Sequence, residues 1–344
     1  MKVPVLALLA VSLAAQDARF DARSRLVVLP TTVTDAQGRL IDGLDVPDFV
    51  VLDNGRPQKL TVDTIGTGVA PIALAIAVQS SGMSAAVLEK VQKAAGMFQP
   101  LITGERGCAA LLSFSEHVSW LQDCTSDSAA LTRAFGQLRV GEYARARMLD
   151  GATAAIAHLT KYPNSRRVLL LISESRDRGS ESDLAEVTSS AQTAAVTVYA
   201  ATYSALKTGF TSRTQVRQQE PKTPRPIIPN PNRTWNGAPP SPHNPVITAP
   251  EDRLDVLAGI TELMRLRQIE TTQVLTGGSG GRTFPFTRQQ GLEGAIEKLV
   301  AELHSQYVLS FVPEASASGY HTLDVRVVRS GEFRVRVRPG YWRD

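Results

Sequence analysis

The residues best placed for chemistry follow an apolar run. In IALAIAVQSSGMS, Ile72, Leu74, Ile76 and Val78 are separated only by alanines, and the run ends in Ser80, Ser81, Gly82 and Ser84. A buried strand that stops in hydroxyls at the mouth of a helix is a place where phosphate or a hard cation is held. Yet the strand end, where a carboxylate would serve best, is Val78. The nearest carboxylates in a comparable setting are Glu174 and Asp177, in LLISESRD. A serine beside Glu174 and Asp177 is the only clustered set for a hydrolase, which is the enzymatic alternative. The histidines, His117, His158, His243, His304 and His321, are scattered and form no Ser/His/Asp motif. GGSGG at 277–281 lacks the Lys-Ser/Thr of a phosphate loop and reads as a helix end turning into a strand. Two cysteines and no clustered histidines leave no zinc site to propose.

These residues need elements to position them. From Pro71, near-continuous apolar strands (IALAIAV, RVLLLIS, VTVYAAT) alternate with segments of helical periodicity near 85–101, 131–138, 152–159, 182–195 and 289–305. That pattern predicts a largely parallel sheet with helices on both faces. Ser126 or Asp127 is the expected N-cap of the helix that buries Leu131, Phe135 and Leu138. A further helix is expected from Glu251 towards Gly277. CAALLSF, SEH and VSWLQDC read as a hairpin centred on Glu116, which sets Cys108 opposite Cys124 and predicts a disulfide. Residues 24–66 alternate in hydrophobicity, with turns at Asp35 to Gly38 and at Asn54-Gly55. HTLDVRVVRSGEFRVRVRPGYW reads as two alternating strands around Ser330-Gly331, with Arg334, Arg336 and Arg338 on one solvated face. Each terminal unit offers a half-buried sheet with edges to cover, so the two are expected to pair into one β-sandwich-like domain with the α/β unit inserted.

With 344 residues the chain has length for about two domains. Lys2, the apolar run 3–13 and the small residues Ala14 and Ala15 have a signal-peptide layout. The expectation is a chain exported to the periplasm or outside the cell, with no transmembrane segment in the mature part. The net charge of +4 misleads, since 205–250 holds Lys207, Arg213, Arg217, Lys222, Arg225 and Arg233 against Glu220 alone. The basicity belongs to that segment, which also carries half of the 20 prolines, and no nucleic-acid partner is expected. The resulting division is a signal peptide over 1–15, β strands over 20–66, the α/β unit over 70–305 with its 205–250 insertion, and β strands over 306–344.

Several motifs in order carry a family resemblance. VTDAQGRLIDGLDVPDFVVLDNG, the serine loop, Thr276-Gly-Gly278, QYVLSFVP and the closing VRVRPGYW are together similar to VWFA-related proteins of the acidobacterial type. The resemblance implies a Rossmann-like von Willebrand factor type A domain. It also implies Mg²⁺ or Mn²⁺ in a metal-ion-dependent adhesion site at the carboxyl ends of the parallel strands, where open α/β sheets place ligands. The family pattern is Asp-x-Ser-x-Ser, a distant Thr and an Asp after the fourth strand. This sequence departs from it with Val78, Ser80 and Gly82, with Ala146 in ARMLDG, and with Glu174. No Asp or Glu occurs between Val69 and Met83 to supply the missing acid. Ser80 and Glu174 remain as metal candidates, with Ser81, Ser84 and Asp177 as substitutes, so the expectation is no cofactor. Arg145 and Arg147 lie in the loop expected to approach Glu174, which suggests a guanidinium where the metal would stand.

The resulting expectation is an exported, non-enzymatic protein-interaction or adhesion protein with a degenerate adhesion site. Its binding face comprises Val78, Ser80, Ser81, Gly82, Ala146, Arg147, Asp150, Glu174 and Asp177, and its partner is a protein or extracellular ligand. A structural assembly component acting through the β domain is the other non-enzymatic reading.

Overall fold

The computed structural model describes residues 26–63, 71–81, 85–102, 107–142, 145–203, 270–313 and 318–343. The expected signal peptide, the 205–250 insertion, the 251–269 part of the expected helix, and Gly82 and Ser84 lie outside the described residues.

Four strands open the described chain: β1 (Val27–Thr34), β2 (Phe49–Asp53), β3 (Arg56–Pro57) and β4 (Leu60–Asp63). The α/β unit follows with β5 (Ile72–Gln79), α1 (Ala85–Lys93), α2 (Gln99–Ile102), β6 (Cys108–Phe114), β7 (Val118–Thr125), α3 (Ser128–Gly136), α4 (Met148–Leu159), β8 (Arg166–Glu174), α5 (Leu184–Thr193), β9 (Val196–Tyr203), α6 (Thr271–Ser279), β10 (Thr283–Pro285) and α7 (Gln289–Ser305). Four strands close it: β11 (Tyr307–Phe311), β12 (Gly319–Val327), β13 (Arg334–Arg336) and β14 (Gly340–Arg343).

The central sheet has the order β10-β9-β8-β5-β6-β7 and is parallel except for β7. Period 2 sorts β5 into two cores. Ile72, Leu74, Ile76 and Val78 join a cluster covered by α1, α3 and α7, while Ala73, Ala75 and Ala77 face α4 and α5. The small residues let α4 come close, and Gly151 is so near that a Cβ there would meet Phe114 at 3.0 Å. Because β6 lies on one side of β5 and β8 on the other, the strand order reverses at β5. The crevice at the carboxyl ends of β5 and β8 is therefore the expected ligand position for this topology.

Asp127 caps α3 by accepting from Ala129 N, and Asp183 caps α5 in the same way. The single helix expected over 85–101 is instead broken into α1, a 3-10 turn (Ala95–Phe98) and α2. Gly96 weakens helix continuity, and Pro100, lacking an N–H, fits only the first turn of a new helix. Gly280 ends α6 at φ 85°, where a Cβ would meet Arg338 N at 2.6 Å; at Gly281 a Cβ would collide with Val198 O.

The terminal strands pair with each other in two antiparallel sheets, β13-β1-β11-β4 and β14-β12-β2-β3, which share one core that includes Leu29, Phe49, Val51, Leu309, Phe311 and Leu323. Each sheet combines strands from both ends of the chain. The closing segment is not a hairpin, however: β12 pairs with β2 and β14, whereas β13 crosses to β1. The hairpin of β6 and β7 is centred on Glu116 at its tip, where Phe114 faces Val118. Irregularities between Ala109 and Leu112 then shift the register, so Ala109 faces Thr125. Cys108 and Cys124 are offset in the ladder yet bonded, with Cα atoms 5.2 Å apart. Among the described residues no helix is long and apolar enough to cross a membrane.

The arginines of the closing segment overturn the expectation of one solvated face. Arg334 is exposed, but Arg336 ion-pairs with Glu302 Oε1 at 2.5 Å, and Arg338 is buried. Glu302, only 1% exposed, also takes Arg282 at 3.0 Å and the Tyr199 hydroxyl at 2.7 Å, while Gln306 bridges Tyr199 to Thr32 of β1. Burial, followed by the charge of Glu302, pushes the Tyr199 hydroxyl far up, so it stays a donor. Arg338 donates to Gln192 O at 2.7 Å and Val28 O at 3.3 Å, and burial pulls its pKa down to about 10. These contacts join the two units through polar groups. Glu302→Ala should lower stability in urea unfolding by on the order of 3 kcal/mol, since it leaves Arg336 beside a buried hydroxyl with no carboxylate. A loss below about 0.5 kcal/mol, the range of ordinary surface substitutions, would contradict this role.

Candidate functional site

The strand ends of β5 and β8 meet through one glutamine. Gln79, the last residue of β5 and 1% exposed, accepts from Glu174 N at 2.8 Å through Oε1. Its Nε2 donates to Glu174 Oε2 at 3.1 Å and to Ser81 Oγ at 2.9 Å. Arg178 closes the other side of the carboxylate: Nε reaches Oε2 at 3.1 Å and Nη2 reaches Oε1 at 3.2 Å. The Glu174 side chain is 7% exposed and that of Arg178 is 48% exposed, so a buried carboxylate is capped by a half-exposed guanidinium. Ser80 points elsewhere, donating its hydroxyl to Phe114 O at 3.4 Å, and Val78 belongs to the apolar core.

The two neighbouring loops are stitched together around this pair. Ala146 and Arg178 exchange backbone hydrogen bonds of 3.3 and 3.1 Å in an isolated antiparallel bridge. Asp177 Oδ1 accepts from the Ser180 hydroxyl at 2.6 Å and from Leu149 N at 3.1 Å. Asp150, in the first turn of α4, accepts from Glu181 N and from Ser182 N at 2.9 Å. Burial raises the Asp150 carboxyl, but its contacts with Ser182 and Glu181 and the charge of Arg147 outweigh that and hold it below the usual range. Asp150 thus ties the start of α4 to the loop before α5, and Asp177 bonds both to Leu149 N and within its own loop.

Ser81, Gln79, Glu174, Arg178 and Ala146 lie in one connected set of contacts, while Asp177 bonds to Leu149 N and Ser180. Arg147 does not reach Glu174; it pairs with Glu181 at 2.8 Å and Asp150 at 3.6 Å, and Arg145 is exposed. The guanidinium partner comes instead from Glu174's own loop, four residues on. Gln79 and Arg178 are the site residues that sequence reasoning missed. A polar residue inside an otherwise apolar strand end was the available signal for Gln79.

The residues do not fit a hard dication. Both Glu174 oxygens accept from cationic or amide donors, and Val78 and Ala146 offer no side-chain oxygen where the adhesion-site pattern has Asp and Thr. Among the described residues no three His, Cys, Asp or Glu side chains gather into a metal-holding group.

No protein-family model and no curated protein sequence matches the chain. Solved structures do. A von Willebrand factor type A protein from Catenulispora acidiphila is 9% identical with a TM-score of 0.44, the match covering 94% of this chain and 76% of that one. An aerotolerance-related membrane protein from Bacteroides fragilis is 14% identical at TM-score 0.40, with 68% and 100% covered. The vWF domain of the type V pili tip protein Mfa5 from Porphyromonas gingivalis is 16% identical at TM-score 0.29, with 32% and 40% covered. By its own strand order and helix placement the α/β unit has a von Willebrand factor type A-like fold. At the end of β8 the carboxylate of Glu174 is paired with Arg178 from the loop that follows.

Gln79→Leu deletes the amide donor and acceptor that Gln79 brings to the β5–β8 clamp and leaves Glu174 N without its side-chain acceptor. It should cost about 2 kcal/mol of stability by chemical denaturation. An unchanged midpoint would mean that the clamp does not hold the strand ends together.

Proposed function

We propose that this chain is a non-enzymatic protein-interaction module that works outside the cytoplasm and binds its partner without metal. The observation that carries the reading is the closed Gln79–Glu174–Arg178 set, in which a guanidinium supplies the positive charge that a cation would otherwise bring to the β8 strand end. The loops around Ser80 and Ser81, residues 145–151 and residues 174–180 form the binding face, and they sit where the strand order reverses. A non-enzymatic role is supported by Ser80, whose hydroxyl donates to Phe114 O rather than to a histidine or a carboxylate. The disulfide between Cys108 and Cys124 supports an oxidising compartment.

A ligand bound only by the folded state raises stability by mass action. The melting temperature of the full chain should therefore be the same in EDTA as in millimolar Mg²⁺, Mn²⁺ or Ca²⁺. A clear upward shift that disappears in Glu174→Ala would overturn the reading.

A further inference from the structure

Leu26, Val46, Val140, Val312, Val328 and Trp120 are exposed large apolar side chains. Scattered aliphatic residues on a surface are ordinary. Trp120 differs from them because it is backed. Its ring, 40% exposed, lies 4.4 Å from the ring of His158, which in turn lies 5.7 Å from Tyr162. His158 is buried in the last turn of α4, and burial lowers its pKa, so an uncharged imidazole supports the indole at neutral pH. The strand that carries Trp120 is fixed as well, since Cys124 is bonded to Cys108. A ring held in this way loses little freedom when a ligand settles on it.

Polar groups stand around the ring. The Asp123 carboxylate, 75% exposed, lies 3.0 Å from His158 Nε2 and accepts from Cys124 N at 2.7 Å. Burial, followed by the charge of Asp123, pushes the Tyr162 hydroxyl up, so it stays a donor. Lys161 is exposed and near enough for its charge to act on His158. An aromatic plane with acceptors and donors at its rim matches a pyranose ring, which has an apolar C–H face and a hydroxyl edge. One acid and one lysine offset each other, which favours a ligand without net charge. Because β7 is the outermost strand of the central sheet, an added peptide strand is the competing occupant. Yet β7 is bulged: Ala109 to Leu111 on β6 spans Thr125 to Gln122, and Leu111 to Leu112 spans Gln122 to Trp120. Extra residues break the even spacing that strand addition needs, and they re-aim side chains at a sheet edge. A sugar chain has no such register to match.

We propose that Trp120 and Asp123 form a platform for a neutral, flat oligosaccharide, with the C–H face of one pyranose on the indole and its hydroxyls meeting Asp123 and Lys161. The platform lies beside the last turn of α4, whereas the strand-end loops meet its first turn, so it adds a second surface to the proposed interaction module. The test is calorimetric titration of the full chain, in EDTA, with cellohexaose, whose β-linked rings present flat C–H faces. Saturable binding is expected at up to millimolar sugar, and weaker binding of maltohexaose, whose α links coil the chain. Trp120→Ala should abolish it. Trp120→Phe keeps a smaller ring over His158 and should retain part of it, which separates a lost platform from a lost fold. Asp123→Asn should weaken binding by about tenfold, as loss of charge-assisted contacts would. Val328→Ala, at an exposed apolar position on the β unit, should leave it unchanged. No saturable binding of cellohexaose, binding that survives in Trp120→Ala, or tighter binding of a Thr-Val repeat peptide would overturn the proposal.

Discussion

A carboxylate at the end of a buried strand sets the terms for everything around it. Glu174 is almost wholly shielded from water, and an uncompensated charge there would cost several kcal/mol. The chain meets that cost with one amide from β5 and one guanidinium from the loop after β8. Because Gln79 binds both the backbone and the side chain of Glu174, the two strand ends are fixed relative to each other. Because Arg178 is bridged through its backbone to Ala146, the entry to α4 is fixed as well. Asp177 and Asp150 extend the same set to the start of α4 and the loop before α5. A hard cation would need these oxygens free, so electrostatic closure of the strand end and metal binding are alternatives at this position.

A second polar set works at the other junction. Glu302, Arg282, Arg336, Tyr199, Gln306 and Thr32 connect α7 and β9 to β1 and β13, and Arg338 ties the end of α5 to β1. Arg338 reaches Gln192 O at the carboxyl end of α5, where a positive charge is favoured by the helix dipole. Polar contacts of this kind fix orientation as well as distance, since each requires a matching donor and acceptor. The terminal strands and the inserted unit are thus held in register by side chains far apart in sequence.

Much of the architecture was legible because it rests on local pattern. The alternation of large apolar residues with alanine in β5, the span of α7 and the Asp127 cap follow from periodicity and capping chemistry that act within a few residues. The missed features depend on contacts across the fold. The spacing around Ser330-Gly331 looked like a hairpin, yet β12 and β13 enter different sheets because β2 and β1 supply their partners. Period 2 put Arg334, Arg336 and Arg338 on one face, but what covers that face depended on where Glu302 and Gln192 lie. At the site, the absence of the acid at Val78 was visible directly. The compensating Arg178 was not, because Arg145 and Arg147 were equally plausible partners until the loop path was known.

The most direct measurement is anomalous diffraction from crystals of the full chain soaked in Mn²⁺. This account predicts no manganese peak at the carboxyl ends of β5 and β8, and continuous density from Arg178 to both oxygens of Glu174. A manganese peak coordinated by Ser80 or Glu174, with the Arg178 side chain displaced, would contradict it.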